Sequence, residues 1–380
     1  MYRIFYAEKD ATIYDRFPEQ NTGIDQILEL TKHTSGSIVD GRYRSKTFNS
    51  RILIDFGSEI DKLKSDILQG KIPAIGNTSN SASVYLSLRS SNALDLLQTY
   101  TLQSFPISQS WNNGQGYAND NPQTTNGASW LYRDSKDIAT AWNTSSVTTP
   151  SFTNWYPGAA QKMGGGTWIT GSVATQSFNN EVPDLRINVT DIVKDWSLNI
   201  RPNHGFIIKR SNEDEVSSEI LGSIKFFGRE THTIFVPRME VVFDNTTFSN
   251  TSSLEISSDT YVPYFKNIKS EYRTSEISKF RIGVRPEFPS RTFSTQSFFI
   301  TSNRLPTSSF YSIIDSVTNE VIIAYDTLGT RIDCDDDGSF FKLQMDSFMP
   351  ERHYKIELKI ERDGGDDIQT FDDFYFKVVN

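Results

Sequence analysis

The stretch Tyr354-Lys-Ile356-Glu-Leu358-Lys-Ile360 alternates apolar and charged residues without a break. A period of two puts one face of an extended chain in a core and the other in water, which predicts a half-buried β-strand. The same alternation runs through Phe280-Arg-Ile282-Gly-Val284 and Phe374-Tyr-Phe376-Lys-Val378, so the three segments read as strands of one sandwich. Composition agrees: aromatics reach 13%, with 26 Phe and 16 Tyr, while charged residues stay at 22%, a balance that suits strands better than charge-laced helices.

Few segments have a helical period. Ile60, Leu63, Ile67 and Leu68 follow Ser58 as a cap and precede Gly70 as a stop, predicting a short amphipathic helix. Thr190-Asp-Ile192-Val193-Lys-Asp-Trp196 reads as a second helical turn capped by Thr190. Ile24 to Leu30 fits both periods and is read as strand. Around Pro237, Ile234 and Val236 fall on one parity and Met239, Val241 and Phe243 on the other, which predicts a bulge at the proline in an edge strand.

The polar run Asn245-Thr-Thr-Phe-Ser-Asn-Thr-Ser-Ser253 marks a domain boundary. The expected architecture is all-β: a jelly-roll-like β-sandwich over 1–245, a linker over 246–253, and an immunoglobulin-like β-sandwich over 254–380. Within the first domain, 110–180 is a Gly, Asn, Ser and Thr-rich insertion holding five of the six tryptophans. That aromatic content predicts an ordered loop system and not a disordered linker.

A net charge of -9 supplies no field for a phosphate backbone, so nucleic acid is not expected as a partner. The single cysteine, Cys334, forms no intrachain disulfide and sits between aspartates that disfavour its thiolate. The opening residues Met1 to Asp10 contain no apolar signal core and no stretch approaches a membrane-spanning run, which reads as a chain neither secreted by the usual signal nor inserted.

Candidate chemistry is sparse. Asp333-Cys-Asp335-Asp336-Asp337-Gly338 has the spacing by which Asp333, Asp335 and Asp337 would offer oxygens to calcium, yet the twelfth position is Gln344, and a polar hairpin turn is the favoured reading. Asp363-Gly-Gly-Asp366-Asp367 reads as another hairpin connection. His33, His204, His232 and His353 lack ligand spacing, and Gly164-Gly-Gly166 has no lysine or helix to make a phosphate cradle. Neither a cofactor nor a catalytic centre is expected. Trp111, Trp130, Trp142, Trp155 and Trp168 are the candidate binding residues: flat indoles can stack on sugar rings, although filling the loop core is the favoured alternative.

Several ordered pieces carry a resemblance. Asp184-Leu-Arg-Ile-Asn-Val-Thr190-Asp191-Ile-Val-Lys-Asp-Trp196, Asn203-His204-Gly205-Phe206, Gly228-Arg229-Glu230 and Pro237-Arg-Met239-Glu-Val241 stand in the order of the DNRLRE-type β-sandwich family, preceded by Lys9-Asp10-Ala11, Asn21-Thr-Gly23, Arg51-Ile-Leu-Ile-Asp55-Phe56 and Ser110-Trp111-Asn-Asn-Gly114. The chain resembles that family over about 1–245, which implies a carbohydrate-binding or wall-associated module. The opening Lys9 to Tyr14 with Asn21-Thr-Gly-Ile24, and the C-terminal Val321-Ile-Ile-Ala-Tyr325-Asp-Thr-Leu-Gly-Thr330 with Pro350-Glu-Arg-His-Tyr354-Lys-Ile356, look like structural proteins of contractile-tailed, particularly marine, bacteriophages. This implies a non-enzymatic virion component of the tail, baseplate or neck, assembled in the host cytoplasm. Its expected partners are other virion proteins and copies of itself; the alternative is an adhesin whose tryptophans hold a host-surface glycan.

Overall fold

Strands take up 45% of the chain and helices 8%, so the all-β class read from the alternation is the class observed. The computed structural model describes residues 1–39, 42–142, 164–249, 261–266, 268–287, 304–362, 365–371 and 375–380. The chain begins with β1 Tyr2–Tyr6, β2 Lys9–Tyr14, β3 Ile27–Val39, β4 Arg42–Asp55 and helix α1 Glu59–Leu68, followed by β5 Ser83–Leu88, β6 Ser90–Leu94 and β7 Thr99–Pro106. A small hairpin, β8 Tyr132–Asp134 and β9 Thr140–Ala141, precedes β10 Ala174–Asn179, β11 Leu185–Asn188, α2 Thr190–Ser197, β12 Phe206–Arg210, α3 Asn212–Val216, β13 Gly222–Phe227 and β14 Arg238–Val242. The remaining strands are β15 Tyr261–Phe265, β16 Glu271–Arg273, β17 Ile277–Pro286, β18 Ser309–Asp315, β19 Val321–Ile323, β20 Asp333–Asp335, β21 Gly338–Gln344, β22 His353–Arg362, β23 Gly365–Thr370 and β24 Phe376–Val379.

Two compact units result, Phe5–Glu240 and Met1–Ile4 with Val241–Asn380. The sequence reading put 1–245 together, whereas the first four residues belong with the C-terminal part. Their bonds explain why: the Met1 amino group donates to the Phe243 carbonyl, Arg3 pairs with Asp346, and the Ile4 N–H donates to Ser347 Oγ at 3.1 Å. No local pattern announces bonds that span most of the chain. Of the expected linker 246–253, residues 250–253 lie outside the described residues.

In the first unit an eight-stranded sheet runs β10-β7-β12-β4-β3-β13-β6, with β2 also on β4; a separate four-stranded sheet runs β1-β14-β5-β11. Leu28 and Leu30 of β3 are fully buried while Glu29 between them is not, the half-buried pattern expected of alternation. β12 lies between β4 and β7, and all its residues are buried, so its run Phe206-Ile-Ile208 is continuous and not alternating.

The second unit packs its core from aromatic rings. Phe341 stacks on Phe280 at 5.2 Å and on Tyr311 at 4.2 Å, while Phe376 meets Tyr272 and Phe348 edge-on. Tyr354, Ile356, Leu358 and Ile360 are buried in β22, as are Phe280, Ile282 and Val284 in β17. Each such burial contributes roughly 1.5–3 kcal/mol. Phe376 and Val378 are buried too, whereas Phe374 lies outside the described residues.

Three local expectations are corrected. Ser58 does not cap α1 with its side chain; its Oγ donates to Glu8, and Leu68 at the helix end is 88% exposed. Thr190 is the first residue of α2 rather than its cap, and its Oγ1 accepts from the Val84 N–H at 2.9 Å, tying the helix to β5. At Pro237 there is no bulged edge: β14 starts one residue later, between β1 and β5, and the proline carbonyl accepts from Ala7. Proline ends the preceding loop because it has no N–H to give a ladder.

Candidate functional site

Four of the five tryptophans come together inside the first unit. Trp111, Trp130, Trp142 and Trp168 share one buried cluster with Ala11, Ile13, Leu53, Phe105, Ile107, Ala128 and Ile207, and none is more than 5% exposed. The sugar-platform reading is therefore corrected for these four, because a ring enclosed by core side chains has no face left to stack on a ligand. Trp155 lies outside the described residues. Two indoles are also pinned by their N–H groups, Trp111 to the His204 carbonyl at 3.0 Å and Trp142 to the Ser129 carbonyl at 2.9 Å.

The loop that carries these indoles is clasped by one asparagine. Asn21 Nδ2 donates to the carbonyls of Asn113 and Ala128, both at 2.7 Å, and its Oδ1 accepts from the N–H groups of Gly23 at 3.1 Å and Gly116 at 2.8 Å. Gly114 (φ 83) and Gly127 (φ 114) pack so closely here that a Cβ on Gly127 would stand 2.4 Å from the Gly114 Cα.

Beside the cluster is a buried charge network. Arg51 forks onto Glu215, Nε to Oε1 at 2.9 Å and Nη2 to Oε2 at 2.7 Å, and lies over Trp130 and Trp168 at 4.8 and 4.9 Å from their centroids. Lys209, with no exposed surface, directs its ammonium to Glu215 Oε2 at 3.1 Å, Asn212 Oδ1 at 2.7 Å and the Arg210 carbonyl at 3.0 Å. Three donors meet three acceptors. Burial lowers the Lys209 pKa to about 8 against the pull of Glu215. Burial also opposes charge on Glu215, but Arg51 and then Lys209 outweigh it and hold the carboxyl below its usual range. The arrangement is a brace.

In the second unit the acidic turn is a hairpin with Asp335 paired to Gly338 across β20 and β21. Asp333 turns to one partner segment, while Asp335 and Asp337 share Arg281. Asp333 accepts from the N–H groups of Thr247 and Phe248 at 3.2 and 2.8 Å, Asp335 takes a fork from Arg281 at 2.8 and 3.0 Å, and Asp337 pairs with Arg281 at 3.1 Å. Against its burial, Arg281 and Lys279 hold the Asp335 carboxyl well below the usual range. Asp333, Asp335 and Asp337 are not gathered around a common point, and among the described residues no group of three or more His, Cys, Asp or Glu could hold a metal ion. Nor, among the described residues, is any helix long and apolar enough to cross a membrane.

What the first unit does present outward is a groove of 440 Å³ across the exposed faces of β3 and β13, walled by the turn after β2 and by β6. Glu29 is its hub, accepting from Tyr14 at 3.0 Å, from Ser223 at 3.2 Å and from Lys225 at 3.1 Å. Burial and then Glu29 push the Tyr14 hydroxyl well above its ordinary pKa. Arg16 lies over Phe17 and Phe48 at 5.3 and 5.7 Å and reaches His33 Nε2 at 3.4 Å. Burial, aided by Arg16, lowers the His33 pKa and favours the neutral ring. Asn49, 7% exposed, donates to the Glu215 carbonyl, and its Oδ1 has no partner among the described residues. The sequence reading missed this groove. Its available signal was parity: Glu29, Thr31 and His33 alternate with Leu28 and Leu30, and Ser223 and Lys225 with Ile224 and Phe226.

The family-like segments prove to be packing elements. Trp196 sits on Phe206 at 4.7 Å, the Arg229 N–H donates to Asp10 at 2.6 Å, and a Cβ on Gly205 (φ 85) would stand 2.1 Å from the Ile54 carbonyl.

No family model and no curated protein sequence matches the chain. Among solved structures it has a likeness to a DUF4785 family protein from Legionella pneumophila, at 7% identity and a TM-score of 0.18, covering 100% of this chain and 62% of that one. A second likeness is to an FMN-binding beta-glucuronidase from Facaelibacterium prausnitzii, at 10% identity and a TM-score of 0.16, covering 93% of this chain and 39% of that one. The chain thus spans less than two thirds of the length of either, and at such TM-scores neither likeness bears on its fold or function.

Proposed function

We propose that the chain is a non-enzymatic structural protein of a tailed-phage particle, a tail, baseplate or neck component that works by assembly with other virion proteins and with copies of itself. The observation that carries this reading is how the first unit uses its buried polar groups: Asn21, Arg51, Lys209 and Glu215 each brace a loop or strand and leave their hydrogen-bonding capacity turned inward. A scaffold so braced holds its outer strands in fixed positions, which suits docking to neighbours. The glycan-attachment alternative loses its four described tryptophans to the core.

The test is to purify particles from a lysate and locate the chain by mass spectrometry and immunogold labelling. Labelling of a tail, baseplate or neck is the expected result, together with aberrant particles when its gene is deleted. Absence from purified particles would overturn the reading. As a separate check on enzyme activity, polysaccharide incubated with the pure chain is expected to yield no new reducing ends.

A further inference from the structure

The groove borders β6, which among the described strands pairs only with β13 and forms one end of the eight-stranded sheet. Such an edge can accept another extended chain. Around it stand groups that specify what that chain carries. Arg16, over Phe17 and Phe48, has no carboxylate within ion-pairing distance among the described residues and presents its guanidinium to an anion. Asn49 Oδ1 is an acceptor without a donor among the described residues. The rim is aliphatic, with Leu94 55% and Ile220 58% exposed, and Phe48 beneath Arg16 is 5% exposed, so only Phe17, at 38%, shows much ring surface. That lining suits branched side chains better than sugar rings, which need an open aromatic face.

The protein contains a strand with the complementary chemistry. β23 pairs only with β22 among the described strands and carries Asp366, Asp367 and Ile368, the last 56% exposed. Asp366 pairs with Lys359 at 2.9 Å in a solvent-exposed bridge of the weak kind, which an incoming guanidinium can share. We propose that β23 of one copy docks along β6 of another, setting Asp366 against Arg16 and Ile368, on the same face of the strand, against Leu94 and Ile220. The two surfaces are different patches, so the contact is heterologous and builds a ring or an open chain of copies. This inference rests on the assembly reading and adds its partner and its site.

Sedimentation velocity of the full chain over a concentration series tests it. Wild type is expected to form concentration-dependent oligomers, Arg16→Glu to weaken self-association at least tenfold without lowering the melting temperature, and Arg16→Glu combined with Asp366→Lys to restore it. Ile220→Ser, which leaves the charges intact, is expected to weaken it as well. A wild type that stays monomeric, a self-association that neither Arg16→Glu nor Ile220→Ser weakens, or a charge swap that fails to restore it would each overturn the interface. So would a monomeric wild type retained by a polyuronate gel through Arg16, which would make the groove a glycan site. Detection of the chain in purified particles decides the assembly reading separately from all of these.

Discussion

Glu215 shows what one buried carboxylate can hold. It takes a guanidinium fork and an ammonium at once, and both cations are nearly or wholly removed from water. Removing a buried partner leaves uncompensated charge, so Glu215→Gln is expected to destabilise the chain by about 3–5 kcal/mol, read as a lower urea midpoint. Asp10 behaves in the opposite sense. Burial raises its pKa from 3.8 to about 7, and one of the few compensating groups is the Arg229 N–H. Between those two values the native carboxyl keeps a proton that the unfolded chain has lost, so this group's contribution to stability falls as pH rises through that window. Asp10→Asn keeps an acceptor for Arg229 and removes the charge. Its melting temperature is expected to exceed wild type at about pH 8 and to match it near about pH 3, where the unfolded Asp10 is also largely protonated.

At the level of the element, local pattern succeeded where strands have one wet face and failed where a tertiary partner changed the rule. β3 is the clearest case: Leu28 and Leu30 point inward as parity requires, and so does Lys32, a residue whose charge argues for solvent. Its ammonium is satisfied from the distant α3 segment, by the carbonyls of Asp214 and Ser217 and by Ser217 Oγ at 2.9 Å. The same dependence explains why the proline before β14 did not make an edge. It explains the loop clasp as well, since Asn21 and Asn126 press against Gly114, whose φ of 83 already favours glycine. Gly114→Ala would place a Cβ 1.9 Å from the Asn126 carbonyl at φ 83. The expected result is a loss of several degrees in melting temperature and faster proteolysis within 110–142, with little change elsewhere.

For the whole molecule, the four described tryptophans of the insertion serve packing. Native indole emission is expected to be strongly blue-shifted, poorly quenched by iodide and insensitive to glycans; a red-shifted, quenchable spectrum that moves with added sugar would contradict the burial of the four described loop indoles. The alternation of residues 354–360, 280–284 and 376–378 determined strands and the all-β class before any contact was known, because side-chain parity is fixed by the backbone within a few residues. What the sequence left undetermined was which strands become neighbours, that residues 1–4 complete the C-terminal unit, that the four described insertion indoles face inward, and that Arg16, Glu29, Asn49 and Lys225 line one groove. Those arrangements rest on contacts between residues tens to hundreds of positions apart. The entropy of closing such loops varies only slowly with their length, so no short stretch of sequence records which closure wins; the packing of the assembled sheets decides it.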